Sequence, residues 1–339
     1  MTKVEIIAEI GVNHDGSLSK AKTLITGAKE SGADFAKFQF YDAKQLVTLN
    51  HKKAKYQLRT MDNDSSHLKM LQKYQFSLEE LQELKIFADS IKIGFMLSAF
   101  DLHSVSMALN FNLQYYKIPS GEITNRPSLE LIGLANPSLI ISTGMATIDE
   151  ISECLDALSQ SGQDLSKVTL LHCSSEYPAP SASLNLNAIT LLKENFHTNV
   201  GYSDHSDGIN AGMLSVALGA SIIEKHITIN CDDDGPDHMA SLDLKGFKKY
   251  VNTIRDAEIL LGEKIKEPSK IEQDNAMVAR QVLVAKSNIS INEEFNLDNL
   301  TVKRAGLGLS PMLIHQLVGK IATKEYHADD LIDEAIVSV

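Results

Sequence analysis

The sequence predicts an α/β protein: a (β/α)8 barrel followed by a small, β-rich mixed module. Three observations carry this. Short apolar segments alternate with helix-like segments eight times over about 260 residues, the length and order of such a barrel. Those segments are rich in Ile, Val, Leu and Phe on both faces, as strands covered on both sides of a parallel sheet are. Polar residues gather at their C-terminal ends, where a barrel carries its chemistry. An open doubly wound sheet is the alternative that the same rhythm allows.

In order, strands are expected over Val4–Gly11, Asp34–Tyr41, Gly94–Phe100, Tyr115–Pro119, Ser138–Thr143, Lys167–Ser174, Asn199–Ser203 and Ser221–Thr228. Helix starts lie between them. Ser77-Leu78-Glu79-Glu80 and Thr147-Ile148-Asp149-Glu150 are capping boxes, and Phe76 is placed to staple onto Leu81. A helix is expected from Ile209 to Ala220. The last begins near Ser241, sets Leu244, Phe247, Val251, Ile254 and Leu261 at helical spacing, and stops at Gly262. Residues 42–76 form a long insertion after the second strand, on the side where functional loops lie. From Glu263 to Asn275 the chain is polar, contains Pro268 and has no clear period, which reads as a linker. The expected boundaries are a barrel over 1–265, a linker over 266–280 and the terminal module over 281–339.

Composition bounds the function. The 339 residues are 43% hydrophobic and 22% charged, an ordinary globular mixture. A formal charge of -12 argues against duplex nucleic acid as the main partner, because phosphate backbones call for a basic face. Three cysteines, Cys154, Cys173 and Cys231, without C-x-x-C spacing suit a reducing compartment. The apolar start of the chain is interrupted by Glu5 and Glu9 and reads as neither a signal peptide nor a membrane span, so a cytoplasmic protein with no membrane partner is expected.

The stretch GYSDHSDG (201–208) sets Ser203, Asp204 and His205 in a row at a strand–helix seam. Turn chemistry alone would explain Ser, Asp and Gly there, but it would place polar residues equally before and after the strands. They fall after: Glu9; Lys37 and Gln39; Ser98; Lys117, Ser120 and Glu122; Ser142 and Thr143; His172, Ser174 and Ser175; Ser203 to His205; Glu224 to His226. Alternation puts Lys37 with Gln39, Ser203 with His205, and Glu224 with His226 on the face toward the mouth, with Asp204 and Lys225 on the other face. His205 and His226 sit near the ends of neighbouring strands and could converge on one divalent ion; two imidazoles leave a site open, which suits Mn²⁺, Mg²⁺ or Fe²⁺ better than a closed zinc site. Their other reading is as core histidines. Lys37, Lys117, Ser98, Ser120 and Ser203 read as an anion pocket, or else as solvated strand ends paired with Glu9 and Glu122. Cys173 is expected to pack within its strand, with His172 making a buried hydrogen bond.

IAEIGVNHDGS (7–17), AKFQFY (36–41), YKIPSGEITN (116–125), ISTGMAT (141–147), LHCSSEYPAP (171–180), GYSDH (201–205), EKHITI (224–229) and GPDHMASL (235–242) resemble the sialic acid synthases. The likeness continues through TVKRAGLGLSP (301–311) into a terminal module similar to type III antifreeze proteins, the SAF domain. It implies condensation of phosphoenolpyruvate with an N-acylated mannosamine-type sugar, giving a nine-carbon 2-keto acid and phosphate. It implies a divalent metal, Mn²⁺ first, with Mg²⁺ or Fe²⁺/Co²⁺ as options, on His205 and His226. It implies phosphoenolpyruvate contacts from Lys37, Ser98, Lys117, Ser120 and Ser203, and sugar contacts from Gln39, Tyr177, Glu224 and Asp237. Ser175 stands where some members have Asn or Thr. Arg304 is expected to reach the acyl group from the other subunit of a homodimer. Glu122 or Glu9 would stabilise the oxocarbenium-like centre or orient the water that adds to it. KKAKYQLRT, LSAF and SGEITN look more like the legionaminate-type members, so the sugar could instead be 2,4-diacetamido-2,4,6-trideoxymannose. Three rivals remain: a Schiff-base aldolase using Lys37 or Lys117, a condensation on a phosphorylated sugar, for which Lys52, Lys53, Lys55 and Arg59 would supply the extra basic site, and a non-enzymatic reading of the terminal module as an ice- or partner-binding surface, which leaves the polar strand ends unexplained.

Overall fold

A computed structural model describes residues 3–48 and 66–337. The KKAKYQLRT stretch and the basic cluster from Lys52 to Arg59 lie outside the described residues. The chain divides into two compact units, residues 1–263 and 264–339.

The first unit is a closed parallel barrel. Its strands are β1 (Glu5–Gly11), β2 (Phe35–Phe40), β3 (Gly94–Ala99), β4 (Tyr116–Ile118), β5 (Leu139–Ser142), β6 (Val168–Cys173), β7 (Asn199–Asp204) and β8 (Ile222–Thr228). Each pairs in parallel with the next, and β1 pairs with β8, which closes the ring and excludes the open sheet. The eight expected strands are these eight, displaced by a residue or two at their ends. Between them lie α1 (Leu18–Ser31), α2 (Ala43–Leu46), α3 (His67–Tyr74), α4 (Leu78–Ser90), α5 (Leu102–Ala108), α6 (Arg126–Ala135), α7 (Ile148–Gln160), α8 (Ala188–Phe196) and α9 (Asn210–Ala217). A two-residue strand, β9 (Leu242–Asp243), adds to β8 and leads into α10 (Leu244–Leu261). Both capping boxes form, with Ser77 and Glu80 bonding reciprocally at α4 and Thr147 and Glu150 at α7. Gly262 ends α10 with φ of 56°.

The alternation along the strands divides the interior into layers. Ile7, Phe35, Met96, Ile140, Leu171 and Ile222 form a dry cluster across the barrel. One step toward the strand ends, the same faces turn polar. Gly201 makes this packing possible: a Cβ there would lie 2.4 Å from the Ile222 carbonyl oxygen and 2.5 Å from Leu171. The opposite strand faces carry the main core against the helices, with Ile6, Ala8, Phe38, Leu97, Ile118, Ile141 and Leu170 buried there. At the far end, the start of β1 is tied to the end of α10: Arg255 donates to the Val4 carbonyl at 2.8 Å, and the Val4 amide donates to Glu258 at 2.5 Å.

The second unit pairs β10 (Val282–Ala285) with β11 (Leu300–Lys303) in an antiparallel sheet around a small core of Leu283, Phe295, Leu317 and Tyr326. The expected linker contains α11 (Lys270–Ala279), opened by a capping box of Ser269 and Glu272. Its apolar residues are exposed, so it has no buried stripe, and that is why no period marks it in the sequence.

Asp204 and Lys225 face the helix layer, as the alternation requires. Lys225 Nζ lies 3.3 Å from Asp204, which also accepts a 2.8 Å hydrogen bond from Tyr250, and both charges are fully buried. Removing one member of a buried ion pair strands the other charge. Asp204→Ala should therefore lower stability by about 3–5 kcal/mol. Chemical denaturation followed by circular dichroism measures this, and a loss under about 1 kcal/mol would refute the structural role.

Candidate functional site

The C-terminal ends of the strands open into a cavity of about 600 Å³. Glu9, Lys37, Gln39, Ser98, Lys117, Ser120, Ser175, Tyr177, Ser203, His205, Glu224, His226 and Asp237 all line it. Thirteen side chains drawn from every part of the barrel thus meet in one space. Their convergence follows from register: Glu9 pairs with Lys37 on one side and His226 on the other, Ser98 with Lys117, and Ser203 with Glu224.

The floor of the cavity is ionic. Lys37 Nζ sits 2.8 Å from Glu9 and 3.5 Å from Glu224, and donates to Ser98 at 3.2 Å. Ser203 donates to Glu224 at 3.1 Å, and Lys117 donates to Ser142 at 2.6 Å. All these ions are buried. Burial depresses Lys37, but Glu224 and Glu9 outweigh it and raise its pKa, so it is held as an ammonium. For Lys117, burial wins and its pKa falls. Burial lifts Glu9 to about 7, against the pull of Lys37. Glu224 is likewise raised by burial, but Lys117 and Lys37 reverse this and hold it below the usual carboxylate range. Among the described residues, Lys117 Nζ donates to the Ser142 hydroxyl and the Ile118 carbonyl and has no carboxylate in direct contact.

Above the floor stand the two histidines, with ring centroids 5.4 Å apart and Tyr177 4.2 Å from His205. His205 Nδ1 donates to the Ser174 carbonyl at 2.7 Å, which turns Nε2 to the cavity; burial lowers the pKa of this ring, but Cys173 and that carbonyl outweigh it and raise it to about 9. The buried Nδ1 of His226 makes no hydrogen bond, and Asp237 lies 3.9 Å from it. Burial and then the neighbouring His205 hold His226 well below its ordinary pKa, as a neutral imidazole. The neutral His226, the Asp237 carboxylate and His205, whose Nε2 proton an ion would displace, are a donor set that fits a divalent cation. A second group with metal-ligand spacing, absent from the sequence reading, consists of Asp15, Asp233 and His238. There Lys20 Nζ lies 2.5 Å from Asp15 and 2.7 Å from Asp233, so an ammonium already supplies the cation and clasps the first βα loop to the last.

Two expected residues fall elsewhere. Glu122 does not line the cavity. It sits on a 3-10 turn, Ser120–Glu122, borders a separate small cavity with Tyr116 and Leu129, and accepts a 2.5 Å hydrogen bond from Asn125. Its place among Ser, Gly and Glu after β4 hid that it turns outward, whereas Ser120 of the same turn faces in. Arg304 follows β11 in the second unit and is exposed. His172 does make its buried bond, 2.6 Å to the Leu184 carbonyl. Cys173, expected to pack within its strand, lines the cavity instead, with its sulfur 3.7 Å from His205 Nδ1. It shares a face with the inward-pointing Leu171, a signal that alternation carried. The carbon-rich lining by Leu46, Val47, Met70, Leu71 and Tyr74 leaves no mark in the sequence, because nothing local says which face of a short helix meets a cavity.

This floor, rim and closure define an enzyme of the (β/α)8 class with an ionic cavity beneath a histidine pair. The comparisons name the family. The model of the NeuB family matches residues 24–266, and that of the SAF domain matches residues 280–335. N,N'-diacetyllegionaminic acid synthase of Campylobacter jejuni is 47% identical, covering 98% of this chain and all of that protein. The protein of the same name from Legionella pneumophila is 40% identical over 93% of this chain and 89% of its own. A crystal structure of N-acetylneuraminic acid (sialic acid) synthetase from Leptospira borgpetersenii in complex with citrate is 31% identical, with a TM-score of 0.70 over 81% of this chain and 90% of that one. The chain belongs to the NeuB family and carries a C-terminal SAF domain. No helix among the described residues is long and apolar enough to cross a membrane.

Gly144 shapes the anion cradle. A Cβ there would lie 2.3 Å from Ser175 Oγ and 2.8 Å from Ser120 Oγ. Gly144→Ala should weaken binding of inorganic phosphate about tenfold, a 1.4 kcal/mol effect. Isothermal titration checks this, and an unchanged affinity would place the anion elsewhere.

Proposed function

We propose that this chain is a phosphoenolpyruvate-dependent nonulosonate synthase. It joins phosphoenolpyruvate to an N-acyl mannosamine-type sugar and releases a nine-carbon 2-keto acid and phosphate. The observation that carries the reading is the buried floor of Lys37, Lys117, Glu9 and Glu224 beneath a histidine pair, which offers an anion cradle and a cation site in one cavity. The sugar is N-acetylmannosamine or 2,4-diacetamido-2,4,6-trideoxymannose. The two relatives named for N,N'-diacetyllegionaminic acid favour the second.

Lys37, Lys117 and the hydroxyls of Ser98, Ser120 and Ser203 bind the phosphate and carboxylate of phosphoenolpyruvate. Gln39, Tyr177, Glu224 and Asp237 orient the sugar, and Ser175 borders both. His205 and His226 hold a divalent ion, Mn²⁺ first, which when bound supplies Lewis-acid polarisation of the sugar aldehyde. The enol carbon of phosphoenolpyruvate attacks that aldehyde carbon; a C–C bond forms and the aldehyde oxygen takes up a proton. The electron-poor carbon left beside the phosphate oxygen faces the carboxylate floor, which stabilises it. Water adds there and gives its proton to Glu9, whose pKa of about 7 suits a base near neutrality. The C–O bond to phosphate then breaks as the hydroxyl left by the water forms the ketone C=O and passes its remaining proton to the departing phosphate, which the lysines hold. The outward placement of Glu122 leaves this role to Glu9. The held ammonium of Lys37 disfavours it as the amine of an aldolase, which leaves Lys117, whose pKa burial lowers, as the lysine of that rival reading; borohydride trapping with pyruvate would support it.

The SAF module supplies Arg304 to the acyl group across a homodimer in which the modules are exchanged. Arg304→Ala should raise KM for the sugar about tenfold or more and leave KM for phosphoenolpyruvate within twofold. Equal sugar KM values would remove the arginine from the site.

A phosphate-release assay with phosphoenolpyruvate, Mn²⁺ and both sugars tests the reaction. His205→Ala and His226→Ala should each abolish Mn²⁺-dependent turnover and weaken Mn²⁺ binding by calorimetry, while circular dichroism stays native. Full turnover in either variant would overturn the histidine assignment.

A further inference from the structure

The cavity has a second face that the reaction above leaves unused. Where the floor is ionic, the side formed by the insertion between β2 and α4 is carbon. Leu46 and Val47 at the end of α2, with Met70, Leu71 and Tyr74 on α3, line it. Met70 and Tyr74, four residues apart, share one helical face, and both are buried in a separate apolar cluster with Val12, Tyr41 and Ala43. The cluster's polar tips are turned to other work: Tyr41 donates its hydroxyl to the Leu71 carbonyl at 3.2 Å, and the Tyr74 hydroxyl accepts from Lys73 at 3.4 Å. Among the described residues of the insertion that line this side, His67 brings an imidazole. A wall of this composition is an expensive neighbour for a hydroxyl and a favourable one for a methyl group.

We propose that this wall selects the sugar. The aldehyde end of the substrate must meet the ionic floor, where phosphoenolpyruvate is held, so the far end, carbons 4 to 6, extends toward the mouth and the insertion. A sugar bearing a methyl group at carbon 6 and a second N-acyl group at carbon 4 places carbon against Leu71, Met70 and Val47. A sugar with hydroxyls at both positions sets them against the carbon of Leu71, Met70 and Val47, which cannot bond them. The inference rests on the synthase reading and deepens it: Leu71, Met70 and Val47 are specificity residues for a deoxy, diacylated substrate.

One extra or missing methyl in such a pocket changes kcat/KM by roughly 10- to 200-fold. The test compares kcat/KM for 2,4-diacetamido-2,4,6-trideoxymannose and N-acetylmannosamine in the full-length protein with phosphoenolpyruvate and Mn²⁺. The wild type should prefer the deoxy sugar by at least tenfold. Leu71→Asn should narrow that preference about tenfold, mainly through KM of the deoxy sugar, with KM for phosphoenolpyruvate unchanged. Val47→Asn, at a partly exposed position, serves as a second variant and should act in the same direction; circular dichroism establishes that both are folded. Turnover of both sugars with a ratio that neither folded variant moves, or a wild type that prefers N-acetylmannosamine, would overturn the selection by this wall and leave the synthase reading standing. Phosphate release with neither sugar would overturn both.

Discussion

The mouth of this barrel is organised around one buried ammonium. Lys37 on β2 lies between Glu9 on β1 and Glu224 on β8. Each charge alone would cost several kcal/mol to desolvate, and only their mutual pairing and hydroxyl partners make the burial tolerable. The three strands are neighbours only because β1 pairs with both β2 and β8. The ion network and the closure of the ring are therefore the same fact seen at two scales. The histidines depend on it as well, because His226 stands in register with Glu9 across the seam.

This network also divides the labour between the two lysines. Lys37 pairs directly with Glu9 and Glu224, whereas Lys117 bonds to Ser142 and a backbone carbonyl and feels Glu224 through space. The carboxylates raise the pKa of Lys37, while burial lowers that of Lys117 despite their attraction. On the proposed function an incoming anion would meet one cation already in contact with its partners and one that is not, in a floor set before the anion arrives.

Much of this was legible in the sequence, for physical reasons that can be named. The strands were visible because burial on both faces leaves a mostly apolar run that turns polar near its C-terminal end, as IIAEIG does at Glu9 and TLLHCS at His172. The period of two then separated Ser203 and His205 from Asp204. The first two face the cavity, and the third lies among the helices with Lys225 and Tyr250. The run of three polar residues in GYSDH is thus two site residues around one structural ion. Where regular structure stops, the reading fails. Glu122 sits on a 3-10 turn, for which no simple period says where a side chain points. Cys173 was assigned to packing because its chemistry is compatible with both roles. The apolar wall is built by short helices from a long insertion, and its facing is set by tertiary contacts. The helix α11 was missed because it buries nothing and so leaves no stripe; only its capping box announced it.

The tie between Val4 and the end of α10, through Arg255 and Glu258, has a consequence for chain topology. It brings the first and last elements of the barrel side by side, on the end away from the strand termini that hold the ligands. The order in which the chain visits the eight staves is thus incidental to which side chains meet at the rim. A short peptide could splice the old ends together, and new ends could be opened in a loop on the lower side. Such a rewired barrel would assemble the same ionic floor from a different starting point.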